Sequence, residues 1–202
     1  GVNSHPNAFH LGYLLGPRLN AGGRIGKAEL GVRLLSTRSR EEAEGLAYEL
    51  DRLNADRREL EASILELAIE QAEQRPIDGP LVWAAGEGWH PGVVGIIAAR
   101  LKEKFNRPAV VIGMENGNGK GSARSVDGVD LGSAIATLAR EGQIEKGGGH
   151  RMAAGLSVAG DKIEPAMRRL IDLLSKYMAV ISAPRTLRID GALSAAVATP
   201  EL

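Results

Sequence analysis

The chain has 202 residues, 44% hydrophobic and 25% charged, as expected of an ordinary folded protein, and its 25 Lys and Arg balance 25 Asp and Glu. Cysteine is absent, which excludes disulfides and thiolate metal sites. No apolar run approaches the roughly 20 residues of a membrane span and no basic-apolar leader is visible, so a cytoplasmic protein with no membrane partner is expected.

The neutral total conceals a charge pattern. Residues 16–40 carry six bases against Glu29, residues 41–75 eleven acids against four arginines, and residues 100–126 six bases against two acids. Two basic segments flank an acidic one. Such runs are commonly solvated faces, but here glycines are interspersed among the bases.

Residues 1–16 hold only short apolar stretches, and the first strong element is expected near Ser39. Ser39 and Glu42 have capping-box spacing, each side chain serving an orphan backbone donor. Behind them Ala43, Leu46, Leu50, Leu53, Arg57, Leu60, Ile64 and Leu67 recur at gaps of three and four. That predicts one narrow apolar stripe on a helix of about nine turns, stopped by Pro76, Asp78, Gly79 and Pro80. The helix is read as a strut over 39–75, since Arg57 interrupts any coiled-coil seam.

From Pro80 onward strands and helices alternate. Strands are expected at Leu81–Ala85, at Ala109–Met114, through Ser122 to Val126 after the Gly117-Asn118-Gly119 turn, and at Met152–Val158. Helices are expected at Val93–Phe105 with Pro91 in its first turn, from Asp130 to Arg140, and at Met167–Met178. The fold class is therefore α/β, a mixed β-sheet flanked by helices in one domain over 76–182, preceded by the long connector helix. Residues 185–191 begin another strand, but 183–202 cannot bury a core alone. Both ends, 1–38 and 183–202, are expected to be remnants of neighbouring domains.

Four segments suit an anion. Gly147-Gly148-Gly149-His150-Arg151 reads as a loop whose bare backbone could form an N–H nest. A plain flexible connector is the bland alternative, disfavoured by the His-Arg pair and by the small residues after it. On the third strand, Lys120, Ser122 and Arg124 share a face, and a hydroxyl beside a guanidinium fits a phosphate; an exposed basic edge is the even alternative. Gly88 to Gly95 opens a helix, where free N–H groups attract anions; the stronger, bland alternative is that Gly92 and Gly95 merely allow tight helix–sheet packing. There His90 is a secondary candidate and Trp89 is expected in the core. Arg18, Asn20 and Arg24 around Gly22-Gly23 make a grip or a solvated turn.

A chemical engine is missing. Neither a phosphate-binding loop of the G-x-x-x-x-G-K-[ST] type nor a dinucleotide fingerprint occurs. The histidines at 5, 10, 90 and 150 lack metal-ligand spacing, and no pair of acids suggests a two-metal cluster.

GPRLNAGGR at 16–24, GEGWHPGVVGIIAARL at 86–101, KGSARS at 120–125 and GGGHRMAAG at 147–155 together resemble the RecJ family of single-strand-specific 5′→3′ DNA exonucleases, over nearly the whole chain. GGGH alone is shared with other DHH phosphodiesterases and with alanyl-tRNA synthetases; the pairing of GWHPGVVGI with PRLNAGGR is more specific. The resemblance implies the end of a DHH catalytic domain (1–38), a connector (39–75), a DHH-associated nucleic-acid-binding domain (76–182) and the start of an OB-type domain (183–202). It further implies that Ser122 and Arg124, with Arg24 or Arg18, hold a 5′-terminal phosphate, and that His150 assists near the scissile bond. The Mn²⁺ or Mg²⁺ ligands would then lie outside this sequence, and the chain alone would hydrolyse nothing. Single-stranded DNA is the implied substrate, in repair and recombination, with single-strand-binding protein and recombination helicases as partners. A phosphodiesterase for short oligonucleotides or cyclic dinucleotides, and a non-catalytic scaffold, are the alternatives.

Overall fold

The computed structural model describes residues 5–76 and 78–183, together with Ile189 and Gly191. Apart from those last two residues, the strand expected at 185–191 lies outside the described residues.

The chain is helical well before Ser39, contrary to the expectation of a weak N-terminal region. A π-helical stretch, His10–Leu15, runs into α1, Gly16–Ile25, and α2 follows at Glu29–Ser36. Glycine and asparagine give α1 a poor intrinsic propensity, so the sequence pattern conceals it. Packing supplies what propensity lacks. Ala21 and Gly22 are buried, and a Cβ at Gly22 would lie 3.2 Å from Leu50 on the next helix.

That helix is α3, Arg40–Glu73, and its 34 residues match the expected strut. Ser39 caps it, accepting a hydrogen bond from the Glu42 N–H at 3.3 Å. The reciprocal half of the capping box does not form. The Glu42 carboxylate accepts instead from the Thr37 hydroxyl and the Arg33 guanidinium, which outcompete a neutral backbone donor. These bonds, Thr37 first and then Arg33, hold its carboxyl below the usual range.

The stripe on α3 serves two different cores. Leu46 and Leu50 pack with Leu30 of α2, while Ile64 and Ala68 join the sheet domain. Leu67 is exposed, and Ala68 takes the buried place expected for it, because a 3.6-residue helix drifts away from a strict three-four repeat. Between the two cores Arg57 is buried, bonded to Asn54 at 2.9 Å and paired with Glu61.

The sheet has five strands, β1 Val82–Glu87, β2 Ala109–Glu115, β3 Asn118–Arg124, β4 Lys146–His150 and β5 Ala153–Ala159. Their order is β1-β2-β3-β5-β4, parallel between β1 and β2 and antiparallel elsewhere. The expected α/β class with a mixed sheet is thus observed. The glycine segment, expected as a loop, is an edge strand, so the order is β-α-β-β-α-β-β-α.

Strand alternation divides the sheet into two faces. On one, Trp83, Val110, Ile112, Ala123, Ala154, Leu156 and Val158 form a continuous core with α5, Leu131–Arg140, and α6, Ile163–Leu174. α6 starts four residues earlier than expected and gives way after Leu174 to short helical turns ending at α7, Met178–Ile181. On the other face, Val82, Ala84, Ala109 and Val111 lie under α4, Pro91–Phe105, and the end of α3. Trp89 is buried there, as expected. Its indole fills the space over Gly86 and its carbonyl the space over Gly113, where a Cβ would sit 2.1 Å and 1.9 Å from Trp89 atoms. The cover ends at β3, leaving β5 and β4 without an apolar layer on this face.

Candidate nucleic-acid interface

The uncovered part of the sheet begins at β3, whose side chains alternate strictly. Ala123 is fully buried in the apolar core, and Lys120, Ser122 and Arg124 therefore project to the opposite side. Arg124 donates from Nη1 to Ser122 Oγ at 2.8 Å and to the Ala123 carbonyl at 2.9 Å. No carboxylate among the described residues forms an ion pair with it. A half-buried guanidinium beside a hydroxyl, with no carboxylate paired to it, has the donor chemistry that an anion would use.

Helix α4 frames this pair. A Cβ at Gly95 would stand 3.1 Å from both Arg124 Nη2 and Ser122 Oγ, so the missing side chain keeps the pair open beneath the helix. One turn earlier, a Cβ at Gly92 would lie 2.0 Å from the Arg24 carbonyl oxygen. The end of α1 therefore abuts the start of α4. Arg24 donates to the Gly92 carbonyl at 3.1 Å, and Asn20 lies one turn before it on the same face of α1. The glycines of the third segment thus pack closely, as its bland reading expects, and in doing so they bring Arg24 and Arg124 to one helix start.

His90 caps α4, its Nδ1 accepting from the Gly92 N–H at 3.0 Å. That bond gives the ring a structural role and leaves it exposed.

His150 enters through register rather than proximity in sequence. Arg124 pairs with Ala153, and Ala153 with His150, so the three form one row on the same face. Two strand spacings separate Arg124 from His150, about 10 Å between backbones. Ser122, Gly155 and Gly148 form the next row.

The structure gives three of the expected site segments a different setting. The triple glycine is no nest, since successive N–H groups of a strand point to opposite sides. Two of its glycines answer packing instead: a Cβ at Gly147 would lie 2.6 Å from Ile144, and one at Gly149 would lie 2.3 Å from the Ala153 carbonyl. Only Gly148 looks onto open space. Arg18 turns away from the site, bonding Asp51 of α3 at 2.6 Å and the Leu14 carbonyl at 2.7 Å. It anchors α1 to the strut, because the acidic α3 offers it a partner one helix away. Arg151 occupies the hairpin tip between β4 and β5, where its backbone carbonyl meets the Leu131 N–H. Its charge is among the influences that depress the Asp130 carboxyl, after the larger backbone and side-chain bonds from Ser133.

Sequence reading gave Gly95 only a packing role and missed that it packs over Ser122 and Arg124; it also missed the row partners on β5. The small residues Ala153 and Gly155 were visible, but their registration against β3 was not.

Among the described residues no three His, Asp or Glu side chains gather where they could hold a metal ion. The residues present do not fit a divalent cation, and the site offers only donors and positive charge.

The DHHA1 domain model matches residues 78–179. The chain is 40% identical over 169 residues to the single-stranded-DNA-specific exonuclease RecJ of Bacillus subtilis, covering 83% of this chain and 21% of that protein. It is also 40% identical over 203 residues to the protein of the same name from Dickeya dadantii, covering 96% and 34% respectively. Among solved structures, RecJ of Thermus thermophilus in complex with Mg²⁺ superposes with a TM-score of 0.75 at 32% identity, over 84% of this chain and 26% of that one. The chain thus spans about a fifth to a third of the length of these relatives.

Proposed function

The chain belongs to the DHHA1-domain family, its resemblance to RecJ is borne out by these relatives, and from that premise we propose that it is the strand-gripping part of a 5′→3′ single-stranded-DNA exonuclease. The observation that carries this reading is that Arg24 bonds Gly92 while Ser122 and Arg124 lie against Gly95, one turn further along α4, with His150 in the same sheet row as Arg124. A terminal phosphate carries two negative charges and more acceptors than an internal one, so a serine and two arginines favour a 5′-phosphorylated end. His150 stands one strand beyond Ala153, placed to meet the next phosphate. Positioning and charge neutralisation of this kind lower a barrier without making or breaking bonds.

Mn²⁺ or Mg²⁺ would be held by residues outside this sequence, consistent with the donor set here. Residues 1–38 would then complete a catalytic domain, 39–75 connect it, 76–182 grip the strand and 183–202 begin a further domain. Repair and recombination, with single-strand-binding protein and helicases as partners, in the cytoplasm, are the matching biological setting. With only seven aromatic residues, phosphate contacts dominate over base stacking, and binding should weaken steeply with salt.

The test is binding of labelled single-stranded oligonucleotides with and without a 5′-phosphate at two salt concentrations. Tighter binding of the phosphorylated strand, lost in Arg124→Ala, is expected, with no hydrolysis by this chain even when Mn²⁺ is added. Indifference to both the phosphate and the substitution would favour a scaffold; cleavage by the purified chain would overturn the division of labour.

A further inference from the structure

Lys120 lies four residues from Arg124 on the same face of β3, about 13 Å along the strand, on the far side of Ser122 from it. The register gives it other neighbours. Lys120 pairs with Ser157 of β5, and Ser157 with Lys146 of β4. This row repeats the layout of Arg124, Ala153 and His150: a cation on β3, a short residue on β5 and a second donor on β4. The row between them, Ser122, Gly155 and Gly148, carries nothing larger than a serine and leaves a bare floor.

Both lysines are exposed, and neither forms an ion pair among the described residues. With the two lysine backbones about 10 Å apart, their flexible stems can meet above the Ser157 hydroxyl. Two ammonium groups and a hydroxyl would then face one anion. On its other side Lys120 lines a cleft together with Glu87 and Glu115, whose charges repel a phosphate and end the track there.

We propose that Lys120, Ser157 and Lys146 form a second phosphate-binding row, which takes a further backbone phosphate of the strand whose terminal phosphate sits at Ser122 and Arg124. The proposal rests on that reading of the first row. It makes the open sheet face a two-row track with a minimum substrate length.

Fluorescence anisotropy with 5′-phosphorylated thymidine oligonucleotides of two and six residues tests it. Lys146→Ala and Lys120→Ala should each weaken the hexanucleotide about fivefold or more and leave the dinucleotide within twofold. The logarithmic salt slope for the hexanucleotide should fall by about 0.7 for each phosphate left without its lysine. Arg124→Ala should weaken both lengths. Arg140→Ala, which removes the same charge from α5 on the opposite side of the sheet, should change neither. If Arg124→Ala acts and the lysine variants do not, the second row is wrong and the first stands. Equal loss at both lengths in Lys146→Ala, or an equal effect of Arg140→Ala, also overturns the second row. Should no variant matter or no oligonucleotide bind, both readings fall.

Discussion

The two faces of one sheet are built from the same strands and serve opposite ends. Beneath α5 and α6, Val110, Ile112, Ala123 and Val158 are fully buried in a continuous apolar layer. On the other side the layer stops at β3, and Ser122, Arg124, Lys120 and His150 take its place. Because side chains alternate along a strand, each residue of β3 belongs wholly to one face. Ala123 seals the core between Ser122 and Arg124, which leave it. Stability and the proposed recognition would thereby be separated by a single residue step.

That separation should be visible in variants. The largest effect is expected on the buried face, where Ile112→Ala should cost about 2–5 kcal/mol of stability in urea unfolding, while the fraction still folded binds DNA normally. On the open face Arg124→Ala should do the reverse. Loss of charge-assisted bonds worth about 1.5–3 kcal/mol predicts a roughly ten- to hundredfold weaker affinity for a 5′-phosphorylated oligonucleotide, at an almost unchanged unfolding midpoint. A destabilised Arg124→Ala would break the comparison.

Gly95→Ala should sharpen it. The added methyl gains helix propensity of about 1 kcal/mol but crowds Ser122 and Arg124 at 3.1 Å. Unchanged or improved stability with weakened binding, by less than Arg124→Ala, is the expected outcome of paired unfolding and anisotropy measurements. Arg18→Ala should matter little to either property. Its exposed pair with Asp51 is worth no more than about 1 kcal/mol, and equal binding by this variant and the parent would separate Arg18 from Arg24.

The smallest effect concerns acid. Asp130 caps α5 through bonds from Ser133, which hold its carboxyl below the usual range. A folded-state pKa lowered in this way contributes stability that is full above the unfolded value, about 3.9, and disappears as pH falls through the folded one. The melting-temperature difference between the parent and Asp130→Asn should therefore narrow below about pH 4 and stay constant above it.

Much of this fold was legible in the residues. The Ser39 cap, the long periodic stripe and the proline-glycine stop define α3 with little help from tertiary contacts. Apolar runs bounded by turns likewise gave β1, β2 and α4. The errors lie where local chemistry is ambiguous. Gly16–Ile25 is helical because α3 receives it, and Lys146–His150 is a strand because β5 offers it a ladder; neither glycine-rich segment states this locally. Ser39 and Glu42 have the spacing of a capping box, yet Thr37 and Arg33 redirected the carboxylate.

For the candidate site, the sequence by itself determined the chemistry. Ser122 and Arg124 must share a face because strands alternate, and the arginines, histidine and glycines supply donors without an engine. Only the tertiary structure decided which donors work together. Strand register put His150 in Arg124's row although the two are far apart in the chain, and close packing at Gly92 brought Arg24 to the same helix while Asp51 drew Arg18 away. Alternation is a property of one strand, fixed by backbone geometry. Register and close approach are properties of pairs of segments, fixed by what each finds opposite it.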